Sequence, residues 1–252
     1  ANIIAAVSLM TTIQNKMTGL SNVSMNFLHN FSKAEAHELI DLQNAPQVQG
    51  TENMPSLDQP LEIKFDAVSF AYPSHPKRNV LQDFSWTLTR GINVLRAKSG
   101  AGKSTAARLL CRLFSPTNGK IVVNGVDIQN IDVKQLRRRI RFINQDLPML
   151  NRSVGETLCY ANSSSLEDAQ EAFDQVRSHF QGKTLDVLVG RNGGNMSTGQ
   201  KQILRILNAS LSLETRIVIV DEPTSGLDNV LKQIVLKLIQ NLAKTKTVLL
   251  IT

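Results

Sequence analysis

No uninterrupted apolar run in this 252-residue chain approaches the ~18 residues that a bilayer-spanning helix needs, so no segment reads as a membrane span by its own length. Cysteine is scarce. Cys111 and Cys159 are the only two, without paired spacing or metal-ligand neighbours, and they fit a reducing compartment, the cytosol, better than a disulfide scaffold. The Asn-x-Ser/Thr matches, Asn195-Met196-Ser197 among them, are then chance, because glycosylation belongs to secreted surfaces. Aromatic residues are missing from the densest basic cluster, Lys134-Gln135-Leu136-Arg137-Arg138-Arg139-Ile140-Arg141. Single-stranded nucleic acid needs rings to stack on, so the net charge of +7 reads first as a solvated face, next as a surface near anionic lipid headgroups and last as a nucleic-acid contact. Internal repeats and low-complexity tracts are also missing.

Proline is absent from residues 1 to 42, where Ile3, Val7, Met10, Ile13, Met17 and Leu20 recur at three- and four-residue steps. That spacing predicts a long helix with one apolar stripe, a coiled-coil or packing helix of a soluble protein being the plainer reading. Residues 43 to 60 are rich in Gln, Asn, Pro and Ser and read as a linker. From Leu61 a near-alternating pattern, Ile63, Phe65, Val68 and Phe70, predicts a strand. A second follows around Phe84–Leu88, and Asn124-Gly125 marks a hairpin between Ile121–Val123 and Val126–Ile128. Ser165-Leu166-Glu167-Asp168 is a capping box before a helical run. Asn229 to Leu242 predicts the last helix and Thr247 to Ile251 the strand after it.

Chemistry enters at Ser99-Gly100-Ala101-Gly102-Lys103-Ser104-Thr105, which follows the apolar run Ile92–Leu95 and leads into the helical Ala106–Leu110. Strand, glycine-rich loop and helix start come in the order a phosphate-binding loop needs. The loop turns backbone N–H groups around an oligophosphate, the helix N-terminus adds its positive end, Lys103 reaches the terminal phosphates and Ser104 offers a hydroxyl to Mg²⁺. Ala97 stands where the usual pattern G-x-x-x-x-G-K-[ST] has its first glycine. Downstream, the β-branched run Ile217–Val220 reads as a strand buried on both faces of a parallel sheet, and it ends in Asp221-Glu222-Pro223. Asp221 suits a Mg²⁺ contact and Glu222 suits polarising a water that attacks the γ-phosphate. On its own, the acidic pair could equally cap the strand and open a turn.

Between these motifs, Met196-Ser197-Thr198-Gly199-Gln200, followed by helical residues, resembles the L-S-G-G-Q signature of ATP-binding cassette (ABC) ATPases. The resemblance covers roughly residues 61 to 252, and more loosely 1 to 42. It implies a RecA-like P-loop NTPase fold of class α/β, with a parallel-sheet core, an antiparallel β layer and an inserted helical subdomain at about 146–212. Ser197, Gly199 and Gln200 would act on the ATP of an opposite cassette, so two cassettes would pair head to tail around two ATP-Mg²⁺. Tyr72 matches the aromatic that stacks on adenine, the plainer reading being a core aromatic. Gln145 matches the glutamine that touches Mg²⁺ and the attacking water, with Asn144 where proline is more usual. Asp228, in Ser225-Gly226-Leu227-Asp228, matches the loop that couples the two ATP sites. Val189-Gly190-Arg191-Asn192-Gly193-Gly194 resembles the exporter segment V-G-E-R-G-G that meets the membrane domain, with Arg191 and Asn192 departing from it.

The resemblance therefore implies an exporter-type cassette on the cytosolic face of a membrane, residues 1 to 42 being the inner end of a last transmembrane helix of the same chain. The histidine that contacts the γ-phosphate in this family is expected just after Thr252, since His29, His37, His75 and His179 stand elsewhere, and a chain cut there should hydrolyse ATP poorly. Two other readings remain at this stage. One is a soluble ABC ATPase working on nucleic acid or ribosomes, against which the interval from Lys103 to Ser197 shows no long heptad tract. The other is a mainly ATP-binding half of a heterodimeric transporter, towards which Ala97 and Thr198 lean.

Overall fold

Two hydrophobic patterns build two different sheets. The computed structural model describes residues 50, 52–53, 61–144 and 147–252. The expected helix over 1–42, most of the expected linker and Gln145 lie outside them. Where apolar residues alternate, the strands are antiparallel: β1 (Ile63–Ala71), β2 (Asn79–Leu88), β4 (Asn118–Val123) and β5 (Val126–Asp127) form a sheet in the order β2-β1-β4-β5. The alternation in β1 slips between Phe65 and Val68 because a bulge sits there. Ala67 takes φ 50, and its carbonyl lies so close to Gly119 that a Cβ at 119 would stand 2.2 Å from the oxygen. Asn124 and Gly125, at φ 46 and 85, make the two-residue turn of the β4–β5 hairpin.

The second sheet is parallel, and the two strands at its centre are apolar on both faces. β3 (Gly91–Leu95), β6 (Ile140–Ile143), β7 (Ile217–Asp221) and β8 (Thr247–Ile251) pair in the order β3-β8-β7-β6. Residues Ile217 to Val220 of β7 are wholly buried between β6 and β8. Crossovers are helical: α1 (Lys103–Leu110), α2 (Val133–Arg139), α3 (Val154–Cys159), α4 (Leu166–Asp174), α5 (Thr198–Leu211) and α6 (Asn229–Ala243). α3, α4 and α5 pack together. Phe173 and Phe180 meet there at 4.8 Å between ring centres, and Val154, Leu158, Ile203 and Leu207 join them in one core with β7 and α6. The capping box at Ser165 forms as expected, with Ser165 Oγ accepting from Asp168 N–H and the Asp168 carboxylate accepting in return.

Part of the stretch read as a linker is fixed. Glu52 N–H donates to Asn130 O at 2.9 Å and Asp132 N–H to Glu52 O at 3.0 Å, a short parallel bridge onto the turn between β5 and α2. Gly50 is buried against the same turn, where a Cβ would stand 2.2 Å from the Asn130 carbonyl. Composition alone gives no sign of this, because the bonds are backbone to backbone. By its contacts the chain divides into two units, one of Val48–Ala71 with Arg78–Thr252, to which everything above belongs, and one of Ala1–Gln47 with Tyr72–Lys77.

Candidate functional site

β3 delivers the chain into the loop of residues 96–102, and α1 leaves it. Lys98 and Ala101 close a turn, Ala101 N–H donating to Lys98 O at 3.2 Å. Gly102 then caps α1 in the left-handed conformation at φ 84. Its place admits no side chain on a second count: a Cβ would meet Leu81 Cδ2 at 2.7 Å and Val80 O at 2.8 Å. No side chain caps this helix and its own first turn holds no acidic residue, so its N-terminal N–H groups face an exposed loop, with the Asp221 carboxylate beside Ser104. That is an anion-binding arrangement. Lys103 is half-buried and folds over the loop, its Nζ donating to Ala97 O at 2.7 Å and Lys98 O at 3.2 Å. Ala97 is not among the described residues with left-handed backbone, so the methyl group there meets no backbone penalty.

The second motif meets the first directly. Ser104 Oγ donates to Asp221 Oδ2 at 2.9 Å, tying the start of α1 to the end of β7. Burial pushes the Asp221 carboxyl above its ordinary range; the Ser104 bond pulls it back, Glu222 raises it, and Lys103 and Arg108 lower it. A hydroxyl and a half-buried carboxylate oxygen at this separation are hard donors of the kind Mg²⁺ takes alongside phosphate oxygens. Among the described residues no cluster of three His, Cys, Asp or Glu could hold a metal without such help. The donor set thus fits a metal that arrives with a phosphate ligand.

Glu222 follows with an exposed side chain and φ 45, rare for a residue with a Cβ. The conformation is held on both sides: Glu222 N–H donates to Ile251 O at 3.0 Å, and Ser225 N–H donates to Glu222 O at 3.2 Å. A strained non-glycine residue over-determined by its surroundings is where function is to be sought.

The third motif lies at the start of α5. Ser197 is exposed and caps the helix in a box, Ser197 Oγ accepting from Gln200 N–H at 3.2 Å and Gln200 Oε1 accepting from Ser197 N–H at 3.0 Å. Gln200 Nε2 donates to His179 O at 3.0 Å, so this side chain, 4% exposed, spends both polar ends inside its own chain. Asp228 is exposed and caps α6, accepting from Leu231 N–H at 2.8 Å. Tyr72 is half-buried, its carbonyl accepting from His75 N–H at 2.8 Å. The structure thus brings together Lys103, Ser104, Asp221 and Glu222, places Ser197 and Gly199 at a second helix start, and gives Asp228 a capping role that the motif reading did not include.

Three further features were not read from the sequence. Asn208 Nδ2 donates to the carbonyls of Thr157, Leu158 and Tyr160 at 3.1, 3.0 and 2.9 Å, which clamps the end of α3 to α5. Ser153 and Glu156 form a capping box at the start of α3, legible in hindsight as Ser-x-x-Glu. An apolar groove of about 160 Å³ opens beside β6, walled by Phe142, Met149, Leu150 and Leu204 and edged by Arg141, Arg152 and Arg205. Arg152 lies over the Tyr160 ring at 4.3 Å, and Arg205 holds the Leu147 carbonyl.

Residues 81–225 match the protein family described as ABC transporter. The chain is 32% identical over 234 residues to ATP-binding cassette sub-family B member 5 of Mus musculus, covering 88% of this chain and 19% of that protein. It is 30% identical over 263 residues to a probable ABC transporter ATP-binding/permease protein of Haemophilus influenzae, covering 100% of this chain and 46% of that one. It therefore spans less than half of either relative. Among solved structures it is similar to a bacterial Atm1-family ABC exporter with ATP bound, at TM-score 0.68 and 26% identity, over 81% of this chain and 37% of that one.

Proposed function

Because the chain belongs to the ABC transporter family, we propose that it is the ATP-hydrolysing cassette of an exporter, pairing head to tail with a second cassette around two ATP molecules and Mg²⁺. The observation that carries this is the Ser104–Asp221 bond beside Lys103 and Glu222, which puts the residues proposed for phosphate, metal and water together at the carboxyl end of the parallel sheet.

In this reading the loop N–H groups of residues 99 to 105 and the start of α1 bind the β- and γ-phosphates. Lys103 exchanges the Ala97 and Lys98 carbonyls for phosphate oxygens. Ser104, Asp221 and Gln145 hold Mg²⁺, which when bound neutralises charge developing on the transferred phosphoryl group. Glu222 orients the attacking water and accepts its proton, with the carboxylate aimed by the backbone held at φ 45. Ser197 and Gly199 of the opposite cassette complete the γ-phosphate shell. The Ser197 hydroxyl already accepts from Gln200 N–H, which leaves its own hydrogen free to donate outward. Gln200 supports that loop from within, and Asp228 shapes the loop between the two sites.

Pairing would close the membrane domain on one side and hydrolysis would release it. In this reading residues 1 to 42 are the inner end of the last helix of the membrane-spanning part and the cassette sits on its cytosolic face; among the described residues no helix is long and apolar enough to cross a membrane. The apolar groove beside β6 suits a cytoplasmic loop of that part, together with the Val189–Gly194 segment. Steady-state ATP hydrolysis against protein concentration tests the reading, with a chain extended past Thr252. Turnover per molecule that climbs with concentration and disappears in Glu222→Gln supports it; turnover independent of concentration refutes the paired site.

A further inference from the structure

Gly199 is the second residue of α5. Its backbone needs no left-handed conformation. What excludes a side chain is a neighbour in the same chain: a Cβ on Gly199 would stand 2.6 Å from Leu231 Cδ1, 3.3 Å from Cγ and 3.4 Å from Cδ2. All three atoms belong to the end of one partly exposed side chain, so an added Cβ would displace the Leu231 isobutyl group from its seat on Gly199. Leu231 lies at the start of α6, where its N–H is bonded to Asp228 Oδ1 at 2.8 Å and Lys232 N–H to Asp228 O at 3.0 Å. Asp228 in turn ends the short run that begins at Glu222, whose carbonyl accepts from Ser225 N–H and within which Leu227 N–H donates to Thr224 O at 3.4 Å. On the other side of the contact, Gly199 is flanked by Ser197 and Gln200, the two members of the capping box.

We propose that Leu231 is a positioning residue, seated against the bare Cα of Gly199, that fixes the Ser197 loop relative to the Glu222–Asp228 loop of the same chain. A side chain at 199 would then act through this contact within the chain, by displacing Leu231, as well as on any approach of nucleotide. The consequence is mechanical coupling: a shift at Glu222 passes through the Asp228 cap and Leu231 to the signature loop, which serves the other cassette. This rests on the reading of Ser197 as a ligand of the opposite nucleotide.

The test is a double-mutant cycle of Gly199→Ala and Leu231→Ala in the full chain. It reads pairing driven by a non-hydrolysable ATP analogue, affinity of each chain's own site for a fluorescent analogue, and amide exchange at Gln200 and Leu231. Gly199→Ala should weaken pairing about tenfold and lower protection at both amides, with own-site affinity unchanged. Adding Leu231→Ala, which opens the space, should restore pairing to within about threefold of Leu231→Ala alone. A loss of pairing that Leu231→Ala does not relieve overturns the proposal and gives the glycine to the nucleotide. So does Gly199→Ala without effect. Should the unsubstituted chain fail to pair at all, the functional reading falls, and amide exchange still decides the contact: protection lost in Gly199→Ala and restored in the double variant upholds it, protection unchanged in Gly199→Ala overturns it.

Discussion

The two helices that serve phosphate in the proposed function, α1 and α5, begin in opposite ways. α1 starts at a left-handed glycine with no side-chain cap and no acidic residue in its first turn, while α5 starts in a closed capping box and is held at its other end as well. There the buried Lys246 donates to Ser212 O at 2.6 Å and Thr215 O at 2.9 Å, satisfying carbonyls where α5 ends. One helix start is open and waits for an anion. The other is closed by its own side chains at the Ser197 and Gln200 N–H groups and, in the proposed function, leaves the Ser197 hydroxyl and the Gly199 N–H to a neighbour. The difference teaches that a chain can hold one phosphate site built by itself and half of another built for a neighbour, and that local hydrogen bonding tells them apart.

The largest effect that would break this contrast is expected at Glu222. Glu222→Gln should lower ATP turnover by about 10² to 10⁴-fold while nucleotide stays bound, and the ATP-bound pair should then persist on gel filtration. Persistence of turnover would move the base elsewhere. Next comes Lys103→Ala, which removes the cation over the open helix start and should weaken binding of an ATP analogue by about ten- to a hundredfold by titration. Unchanged affinity would contradict the assignment of α1 as the anion site.

Ser197→Ala sharpens the contrast from the other side. It should cost about 1 kcal/mol of stability in denaturant unfolding through loss of the cap, and should weaken ATP-driven pairing without altering own-site affinity. An equal loss of own-site affinity would mean that both helix starts serve the same nucleotide. Lys246 supplies a pH test of the closed helix. Burial lowers its ammonium to about 8, against 10.5 when exposed, so between those values the unfolded chain binds a proton that the native chain does not, and this group's contribution to stability rises with pH. Cys111, pushed up to about 12 by burial, works in the opposite direction above pH 9. Comparing Lys246→Met with the unsubstituted chain isolates the first term: the stability difference should move in favour of the unsubstituted chain from pH 8 to 10.5. The smallest effect is expected for Ala97→Gly, which should leave nucleotide affinity within about twofold, because the backbone there is already ordinary.

The phosphate loop and acidic pair were legible because each is short, contiguous and flanked by its own strand. The central parallel strand followed from the run Ile217–Val220, apolar on both faces, and the antiparallel layer from alternation and Asn124-Gly125. Less legible were the contacts whose partners lie far apart in the chain. Ser104 and Asp221 are 117 positions apart, and their bond is implied only by the pairing of the motifs. The Asn208 clamp and the Lys246 cap involve carbonyls, which carry no sequence signal. Ser197 and Asp228 were read for nucleotide chemistry, and their capping roles went unnoticed because one side chain can do both. The strain at Glu222 is invisible in a string of letters, since nothing in Asp-Glu-Pro announces a positive φ.

The bridge at Glu52 gives the molecule a point of attachment with a direction. Its two bonds to Asn130 and Asp132 run across a parallel pairing, so tension on the chain before Gly50 loads them together, in shear, and not one after the other as in unzipping. Gly50, wedged against the Asn130 carbonyl, leaves that grip no slack. A tug from upstream is thus delivered to the turn before α2, close to Arg112, whose guanidinium bonds the Ile131 carbonyl near the end of α1. The phosphate-loop helix is then connected to any force applied before Gly50, by a path that runs through the Glu52 bridge, the Ile131 carbonyl and the Arg112 side chain.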